Sequence, residues 1–385
     1  MNYTKLLLLG ALALLSGASV SAPTTALERR ILAFETLDDD LLRDRVLAIR
    51  GPVQPVYTAE VRRMIGSYVT TGYRDTERML GRAALYFPTF EHYLATYGLP
   101  QQLKYLPMVE SRLRPRAVSP VGATGLWQLM RGTAADAGLH MDYYVDERRD
   151  PHRSTEAALA YLQHQYDRFG SWELALAAYN CGGGTVSRAI RRAGGERDFW
   201  KLQTYLPKET QHYLSRYLAA SYVAENYHRH RLLPSYPSAE EQLVELTRVR
   251  SQLSFRRIEE ITGIEVTLLK RLNPSYRRAL LPRSPDGFDL RLPAAAMRRL
   301  ERYRWEHTDH RIACDLPDAP PPPVVPTLSG TFKSTYRVME GDQLAGLAKL
   351  LELPAADILA WNGLTDHTLH PGQELVLYFP LSVLD

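Results

Sequence analysis

Cysteine is almost missing from this 385-residue sequence, which contains only Cys181 and Cys314. Two cysteines are too few for the disulfide framework that stabilises small secreted domains. Cys181 lies at the end of a predicted helix and Cys314 in a predicted linker, so we expect both to be free thiols. The fold must depend on hydrophobic burial instead, and a chain of this length with 45% hydrophobic residues can form a substantial core.

A strong excess of charge is also missing, because 47 Lys and Arg residues are balanced by 43 Asp and Glu. Proteins that bind nucleic acid concentrate basic residues on one face, so the net charge of +4 gives no case for a nucleic-acid partner. The histidines His228, His230 and His310 lack the spacing of metal ligands. We therefore expect no metal and no other cofactor.

Long apolar runs are confined to the start of the chain. An apolar run from Leu6 to Leu15 follows Lys5, and Val20 and Ala22 are spaced as at a signal-peptidase site. A membrane span needs about 20 apolar residues, so we expect a signal peptide over 1–22, cleaved after Ala22. Because no cysteine lies near that site, we expect an exported protein of the periplasm or cell envelope without a lipid anchor, either soluble or peripherally attached.

Proline divides the remaining chain. The stretch CDLPDAPPPPVVPTLSG (314–330) has no periodicity and is typical of an extended spacer. The predicted units are an N-terminal helical region (23–95), a helical domain (96–230), a second unit (240–295), the linker (305–332) and a small C-terminal module (334–380).

Two segments of the helical domain carry clear helix signals. STEAALAYLQHQYDRFG has an apolar face, with Ser154 or Thr155 as its cap and Gly170 as its end. SWELALAAYNCGGG repeats this pattern, with Ser171 as the cap and three glycines as the stop. Short loops between such helices predict antiparallel neighbours in a compact all-α domain.

An acid lies on the apolar face of a predicted helix at the start of YLPMVESRLRPRAVSPVGATGLWQLM (105–130). Glu110 follows Leu103 and Leu106 at helical spacing and occupies a position where leucine is expected. Pro107 is expected to kink or restart this helix. Burial would raise the pKa of the carboxyl group, as a general acid working near neutral pH requires. The alternative is a surface glutamate at a helix end.

Glycines mark the turn that follows Glu110. Gly122 and Gly125 would let the backbone approach a ligand closely. Trp127 offers either a ring face for a sugar or a core side chain, and Gln128 can both donate and accept hydrogen bonds. The combination predicts a polar binding site beside the acid.

Four ordered motifs resemble those of the lytic transglycosylases with a soluble-lysozyme-like domain. They are ES at 110–111, GLWQ at 125–128, AAYN at 177–180 and ETQHY at 209–213. The resemblance covers roughly residues 75–225 and implies a mainly α-helical, lysozyme-like fold. It also implies cleavage of the β-1,4 bond between N-acetylmuramic acid and N-acetylglucosamine in peptidoglycan glycan strands. A hydrolytic muramidase and a non-catalytic peptidoglycan-binding scaffold are the alternatives.

The resemblance implies a role for each matched residue. Glu110 would be the sole acid/base: it would protonate the glycosidic oxygen and then accept the proton of the sugar's own 6-hydroxyl as a 1,6-anhydro ring closes. Tyr213 would form a hydrogen bond near this carboxyl group. The expected substrate contacts are Ser111, Gln128, Tyr179 and Asn180.

A second catalytic carboxylate would favour a hydrolase, because most glycosidases place two carboxyl groups across the bond. The downstream acids are Asp136, Asp142, Asp146, Glu147 and Asp150. In DERRDP, Arg148 and Arg149 would neutralise neighbouring acids, so we interpret this segment as a salt-linked structural turn.

The C-terminal module, TYRVMEGDQLAGLAKLLELPAADILAWNGL followed by LHPGQELVLYFP, predicts a β-α-α-β order and resembles a LysM domain. Such domains bind glycans that contain N-acetylglucosamine. The expected glycan contacts are Gly341, Asp342, Gln343, Leu344, Leu364 and Thr365, with a core position as the alternative for Leu344. FRRIEEITGIEVTLLKRLNPSY and GFDLRLP resemble the second half of that module, so we expect a degenerate LysM-like unit at 240–295.

Overall fold

The computed structural model describes residues 25–307, 331–351 and 353–380. The predicted signal peptide, most of the proline-rich linker and Cys314 lie outside these ranges. Within the described ranges, no helix combines the length and the apolar character needed to cross a membrane.

The first 200 or so described residues are helical, which confirms the predicted class. The helices are α1 (Ala26–Glu35), α2 (Asp39–Leu47), α3 (Ala59–Val69), α4 (Tyr73–Thr96), α5 (Leu106–Ser111), α6 (Arg131–Asp136), α7 (Pro151–Phe169), α8 (Trp172–Cys181), α9 (Gly183–Arg192), α10 (Phe199–Leu202), α11 (Lys208–Gln211), α12 (Tyr213–Asn226) and α13 (Ala239–Gln242). Short 3₁₀ helices cover Gln101–Tyr105, Glu147–Arg149, Gln203–Tyr205 and Tyr227–His230.

Helix α7 begins earlier than the sequence suggested. The Asp150 side chain accepts hydrogen bonds from two backbone N–H groups of the first turn and so caps the helix. The predicted cap at Ser154 or Thr155 is wrong, because both hydroxyls lie buried inside the helix and donate to carbonyls four residues earlier. The predicted end is confirmed, with Gly170 at φ 65°.

Helix α8 has the predicted boundaries. The Ser171 hydroxyl accepts a hydrogen bond from the N–H of Leu174, and Gly182 follows the last helical residue. Cys181 carries a free thiol in this helix end. Helix α9 begins at Gly183, directly after the turn.

Helix α12 runs through the centre of the helical domain. Most of its residues between Tyr213 and Val223 are buried, and it packs against α3, α5 and α8. A helix that is apolar on most sides is expected only where other elements surround it. Its first residue, Tyr213, is therefore held within the core.

A second unit follows with its own hydrophobic core. Strand β1 (Val244–Val249) pairs antiparallel with β4 (Phe288–Pro293), and β2 (Leu253–Ser254) pairs with β3 (Leu280–Leu281). Helices α14 (Phe255–Thr262) and α15 (Val266–Leu272) lie between the strands in sequence, and α16 (Ala294–His307) follows.

Buried polar contacts join this second unit to the helical domain. The Arg291 guanidinium in β4 forms an ion pair with Asp150, at 2.6 Å, and both side chains are more than 90% buried. The backbone N–H of Asp146 donates to the carbonyl of Ser275, at 2.9 Å. The start of α7 is thus fixed by the unit that follows it in sequence.

The C-terminal module has the predicted β-α-α-β order. Strand β5 (Thr331–Arg337) pairs antiparallel with β6 (Glu374–Pro380), and the helices are α17 (Leu344–Leu351) and α18 (Ala355–Asn362).

This module does not stand apart, although a proline-rich stretch precedes it. Its core continues into Ala239, Leu243 and Ala294 of the preceding chain. The Gln242 side chain donates to the carbonyl of Arg337 and accepts from its N–H, at 3.1 and 2.9 Å. Gln242 therefore pairs with the edge of β5 as a neighbouring strand would.

Candidate active site

Glu110 lies near the end of α5. Pro107 occupies the first turn of this helix, where its missing N–H leaves no hydrogen bond unmade. Of the two effects expected of Pro107, a kink or a restart of the helix, the structure shows the restart, because the preceding residues 101–105 form a separate 3₁₀ helix. Leu103 and Leu106 are fully buried, and Ser111 is the last residue of α5, followed by Arg112 at φ 53°.

The carboxyl group of Glu110 meets α12. Its side chain is partly exposed, yet protein atoms surround it, and this burial raises the pKa of Glu110 to about 7. The Tyr213 hydroxyl donates a hydrogen bond to Oε1 of Glu110 and acts in the opposite direction, towards a lower pKa. The acid and the tyrosine, 103 residues apart in sequence, therefore form one pair.

Two further charges act on this pair. The negative charge of Glu209 raises the pKa of Glu110, and the positive charge of Arg216 lowers it. Both effects are smaller than those of burial and of the Tyr213 hydrogen bond. Sequence reasoning missed Arg216, although it follows Tyr213 at the i, i+3 spacing that places two residues on one helix face.

The turn after Glu110 is held by the predicted polar residues. The buried Ser111 hydroxyl donates to the carbonyl of Leu126, at 2.8 Å, and so ties α5 to the turn. Gln128 adopts φ 49°, and its amide donates to the carbonyls of Gly125 and Ala117, at 2.9 and 3.3 Å. These contacts shape the turn, and substrate contact by Ser111 and Gln128 stays a prediction.

Trp127 is a core residue. It is fully buried, packs edge-on to Phe90 and donates from its indole nitrogen to the Thr155 hydroxyl, at 2.9 Å. The idea that a sugar stacks on Trp127 is therefore wrong. Gly125, at φ 90°, also faces protein: a Cβ atom there would lie 1.8 Å from the carbonyl oxygen of Arg148.

Tyr179 and Asn180 lie at the end of α8. The Tyr179 hydroxyl donates to the carbonyl of Trp127, at 2.6 Å. Burial, followed by the charge of Glu110, holds the pKa of Tyr179 well above its usual value, so this phenol is neutral beside the acid. The side-chain oxygen Oδ1 of Asn180 accepts a hydrogen bond from the Thr210 hydroxyl, at 2.7 Å. Direct contact of either residue with substrate stays a prediction.

The DERRDP segment is a salt-linked turn, as predicted. Arg148 forms a two-pronged ion pair with Asp146, at 2.9 Å, and Arg149 lies 3.9 Å from the same carboxylate. Arg148 also donates to the carbonyls of Gly122 and Leu129, at 3.0 and 3.3 Å. Through these hydrogen bonds, the DERRDP segment stabilises the turn that follows Glu110.

Four of the five acids downstream of Glu110 are engaged in local structure. Asp142 accepts from two backbone N–H groups, and Glu147 accepts from the N–H of His140, at 2.7 Å. Asp150 both caps α7 and pairs with Arg291. Within the described part of the chain, no group of three or more His, Cys, Asp and Glu residues is arranged to hold a metal ion.

The predicted glycan contacts in the loops of the C-terminal module differ in their exposure to solvent. Gly341, Gln343 and Thr365 are exposed, whereas Leu364 is half-buried. Leu344 is 1% exposed and packs in the core, so the core alternative is correct for this residue. The Asp342 carboxylate accepts from the Tyr336 hydroxyl and the Met339 N–H, at 2.5 and 2.7 Å, and stabilises its own loop.

Family models match three successive segments. A transglycosylase SLT domain covers residues 89–202, the LysM-like domain of lytic transglycosylase MltD covers 244–303, and a LysM domain covers 336–377. Glu110 lies inside the first match, and Tyr213 lies beyond its end.

Individual relatives agree with these domains. Membrane-bound lytic murein transglycosylase D of Escherichia coli (strain K12) is 31% identical over 285 residues, which are 73% of this chain and 60% of that protein. Membrane-bound lytic murein transglycosylase F of Yersinia pestis is 29% identical over 192 residues, 44% of this chain and 37% of its own. The chain thus spans about three fifths of the first relative's length.

Among solved structures, the 70 kDa soluble lytic transglycosylase of Escherichia coli aligns with a TM-score of 0.36 at 23% identity, over 56% of this chain and 32% of its own. The matches to family models identify three domains in the chain: a transglycosylase SLT domain, a LysM-like domain of the MltD type and a LysM domain.

Proposed function

We propose that this protein is a peptidoglycan lytic transglycosylase that cleaves the β-1,4 bond between N-acetylmuramic acid and N-acetylglucosamine and leaves 1,6-anhydromuramoyl ends. The observation that carries the proposal is the hydrogen bond from Tyr213 to Glu110, an acid that lies inside the segment matched to the SLT domain. A carboxyl group with a pKa of about 7 is protonated in a large fraction of molecules at neutral pH. The names of the relatives support murein as the substrate.

Glu110 would act twice in one cycle. Because Tyr213 donates a hydrogen bond to Oε1, the acidic proton of Glu110 is held on Oε2. This proton is transferred to the glycosidic oxygen as the bond between that oxygen and C1 of the muramoyl residue breaks. The 6-hydroxyl of the same muramoyl residue then attacks C1, and its proton returns to the Glu110 carboxylate. The cycle consumes no water and needs no second carboxylate as nucleophile.

A hydrolytic muramidase is the rival within the same fold. The acids of DERRDP are engaged in ion pairs and a helix cap, which argues against a catalytic role for them. Glu209 is the carboxylate whose charge acts on Glu110, so it is the residue that a two-carboxylate mechanism would use. Mass spectrometry of digested murein separates the mechanisms, since a hydrolase adds water to each new end.

The pH profile should follow Glu110. Because burial raises its pKa to about 7, kcat/KM is expected to fall as the pH rises through about 7, where the carboxyl group loses its proton. Tyr213→Phe removes a hydrogen bond that stabilises the carboxylate, so the pKa of Glu110 rises further and the alkaline limb moves to higher pH.

The matched control for that profile is Tyr217→Phe. Tyr217 lies one turn along α12, and its hydroxyl donates to the carbonyl of Gln102 instead of to an acid. The alkaline limb of the kcat/KM profile of Tyr217→Phe should coincide with that of the wild-type protein. The pairing of Tyr213 with Glu110 would be contradicted if the alkaline limb of Tyr213→Phe lay at the wild-type pH, or if it moved equally in both variants.

The LysM domain would tether the enzyme to the glycan and so raise the local concentration of substrate. Its exposed loop residues Gln343 and Thr365 are the proposed contacts, together with the backbone at Gly341. Deletion of the whole domain is a poor test, because it would uncover Ala239, Leu243 and Ala294.

The double variant Gln343→Glu, Thr365→Asp is a better test. It should reduce retention on insoluble murein several-fold, because two carboxylates in a neutral sugar site lose their hydration without gaining partners. Lys349→Glu, on the exposed side of α17, makes the same change in net charge and should retain binding. Equal retention of the wild type, the double variant and Lys349→Glu in a sedimentation assay would exclude these loops from glycan binding.

The same proposal includes export. Residues 1–22 would direct the chain out of the cytoplasm, and the mature protein would work in the periplasm or at the envelope, where murein is found. Determination of the first residue of the exported protein tests this: it should be Pro23, and a mature chain that keeps Met1 to Ala22 would contradict cleavage.

A further inference from the structure

A cavity of about 440 Å³ lies beside the Glu110–Tyr213 pair. One wall is formed by α3 and the start of α4, both of which precede the residues matched to the SLT domain. The other wall contains the residues that flank the pair in sequence. These are Met108, Val109 and Arg112 around Glu110, and His212 and Arg216 around Tyr213.

The charged side chains of this cavity are mostly basic. Arg63, Arg112 and Arg216 line it together with a single carboxylate, that of Glu60. Nδ1 of His212 lies 2.6 Å from this carboxylate, so Glu60 already has a partner within the protein. Tyr68 also lines the cavity, and burial raises the pKa of its phenol. The positive charges of Arg112 and Arg216 both lower that pKa, so both guanidinium groups lie near the same part of the cavity.

The guanidinium groups of Arg63 and Arg216 have no close ionic partner among the described residues, whereas that of Arg112 is partly exposed but already pairs with Asp75. The side chains of Arg63, Arg112 and Arg216 are 70%, 51% and 40% exposed. The ion pairs of Arg63 with Glu60 and of Arg216 with Glu209 are long, at 3.7 and 3.5 Å. Guanidinium groups bind carboxylates through paired hydrogen bonds, so this cavity favours a ligand with carboxylate groups.

We infer that the cavity binds the carboxylates carried by the muramoyl residues of the strand whose bond lies at Glu110. This inference rests on the proposed function, because it takes murein as the ligand. The carboxylates have two sources in murein: the acidic stem peptides, and the lactyl group that is left free when the peptide has been removed. The N-terminal helical region would thus select acidic glycan over neutral glycan of the same length.

The test measures binding without turnover. Full-length Glu110→Gln protein is titrated by calorimetry with three oligosaccharides of equal length: peptide-bearing murein glycan, peptide-free murein glycan and chitin oligosaccharide, which has no carboxylate. Arg63→Glu is added because the Arg63 side chain is the most exposed of the three and lies farthest in sequence from Glu110 and Tyr213. Arg256→Glu, 86% exposed in the LysM-like domain, makes the same charge change elsewhere.

Arg63→Glu should lower the affinity for acidic glycan about tenfold, with a smaller salt dependence, while the affinity for chitin oligosaccharide stays at that of the parent. Loss for the peptide-bearing glycan alone identifies the stem peptide as the ligand, and loss for the peptide-free murein glycan alone identifies the lactyl carboxylate. Loss for both acidic glycans shows that the cavity accepts either carboxylate. Equal loss for all three sugars, or no loss beyond that of Arg256→Glu, overturns the inference. Failure of the proposed function is a separate result: wild-type protein would leave murein uncut.

Discussion

Glu110→Gln is expected to lower the turnover of murein by at least about a thousandfold. General acid–base catalysis contributes about 10² to 10⁴ in rate, and in the proposed mechanism one residue supplies both the acid and the base. Glutamine has nearly the same shape and still accepts the hydrogen bond of Tyr213, but it has no proton to give to the glycosidic oxygen. Release of soluble muropeptides from purified sacculi measures this loss.

The matched control is Glu209→Gln. This change removes the other carboxylate that acts on Glu110, on an exposed side chain. Activity should fall less than tenfold, and the alkaline limb should move to lower pH, because the charge that raises the pKa of Glu110 is gone. A loss in Glu209→Gln as large as that in Glu110→Gln would favour a two-carboxylate hydrolase.

Arg291→Met is expected to lower the free energy of unfolding by about 3 to 5 kcal/mol, the cost of leaving one partner of a buried ion pair alone. Arg291 and Asp150 keep 9% and 6% of their side-chain exposure. Burial alone would raise the pKa of Asp150, yet the charge of Arg291 holds it below its usual value, so the carboxylate stays charged and loses its partner in the variant. Urea denaturation measures the difference.

Arg248→Met is the control for that experiment. Arg248 pairs with Asp289 at 3.1 Å in the same unit, but its side chain is 52% exposed, and exposed pairs contribute up to about 1 kcal/mol. Asp150→Asn in the Arg291→Met background should recover part of the loss, because asparagine still caps α7 and carries no charge. Equal destabilisation by Arg248→Met and Arg291→Met would contradict a specific role for the buried pair.

The helices and the acid could be predicted from the sequence because their signals are local. Ser171 marks a helix start by its capping hydroxyl, and Gly170 and Gly182 mark helix ends by the positive φ that glycine allows. Pro107 signalled a new helix for the same reason. Glu110 was visible as a polar residue at an apolar position.

Contacts between distant segments could not be predicted in the same way. The sequence places Asp150 in a salt-linked turn, and only the fold brings Arg291 to it, 141 residues later. Trp127 had two interpretations because an indole ring suits both a sugar and a core, and the hydroxyl of Thr155 decides for the core. The basic cavity combines α3 with the flanks of Glu110 and Tyr213, which no single stretch of sequence reveals.

The central claim is that Glu110 alone passes a proton to and from one sugar, so that the new end forms without water. Mass spectrometry of sacculi digested by the wild-type protein tests it most directly. We expect every new muramoyl end to be a 1,6-anhydro ring, and no such ends after incubation with Glu110→Gln. Reducing muramoyl ends that carry the mass of one added water, or anhydro ends formed by Glu110→Gln, would contradict the account.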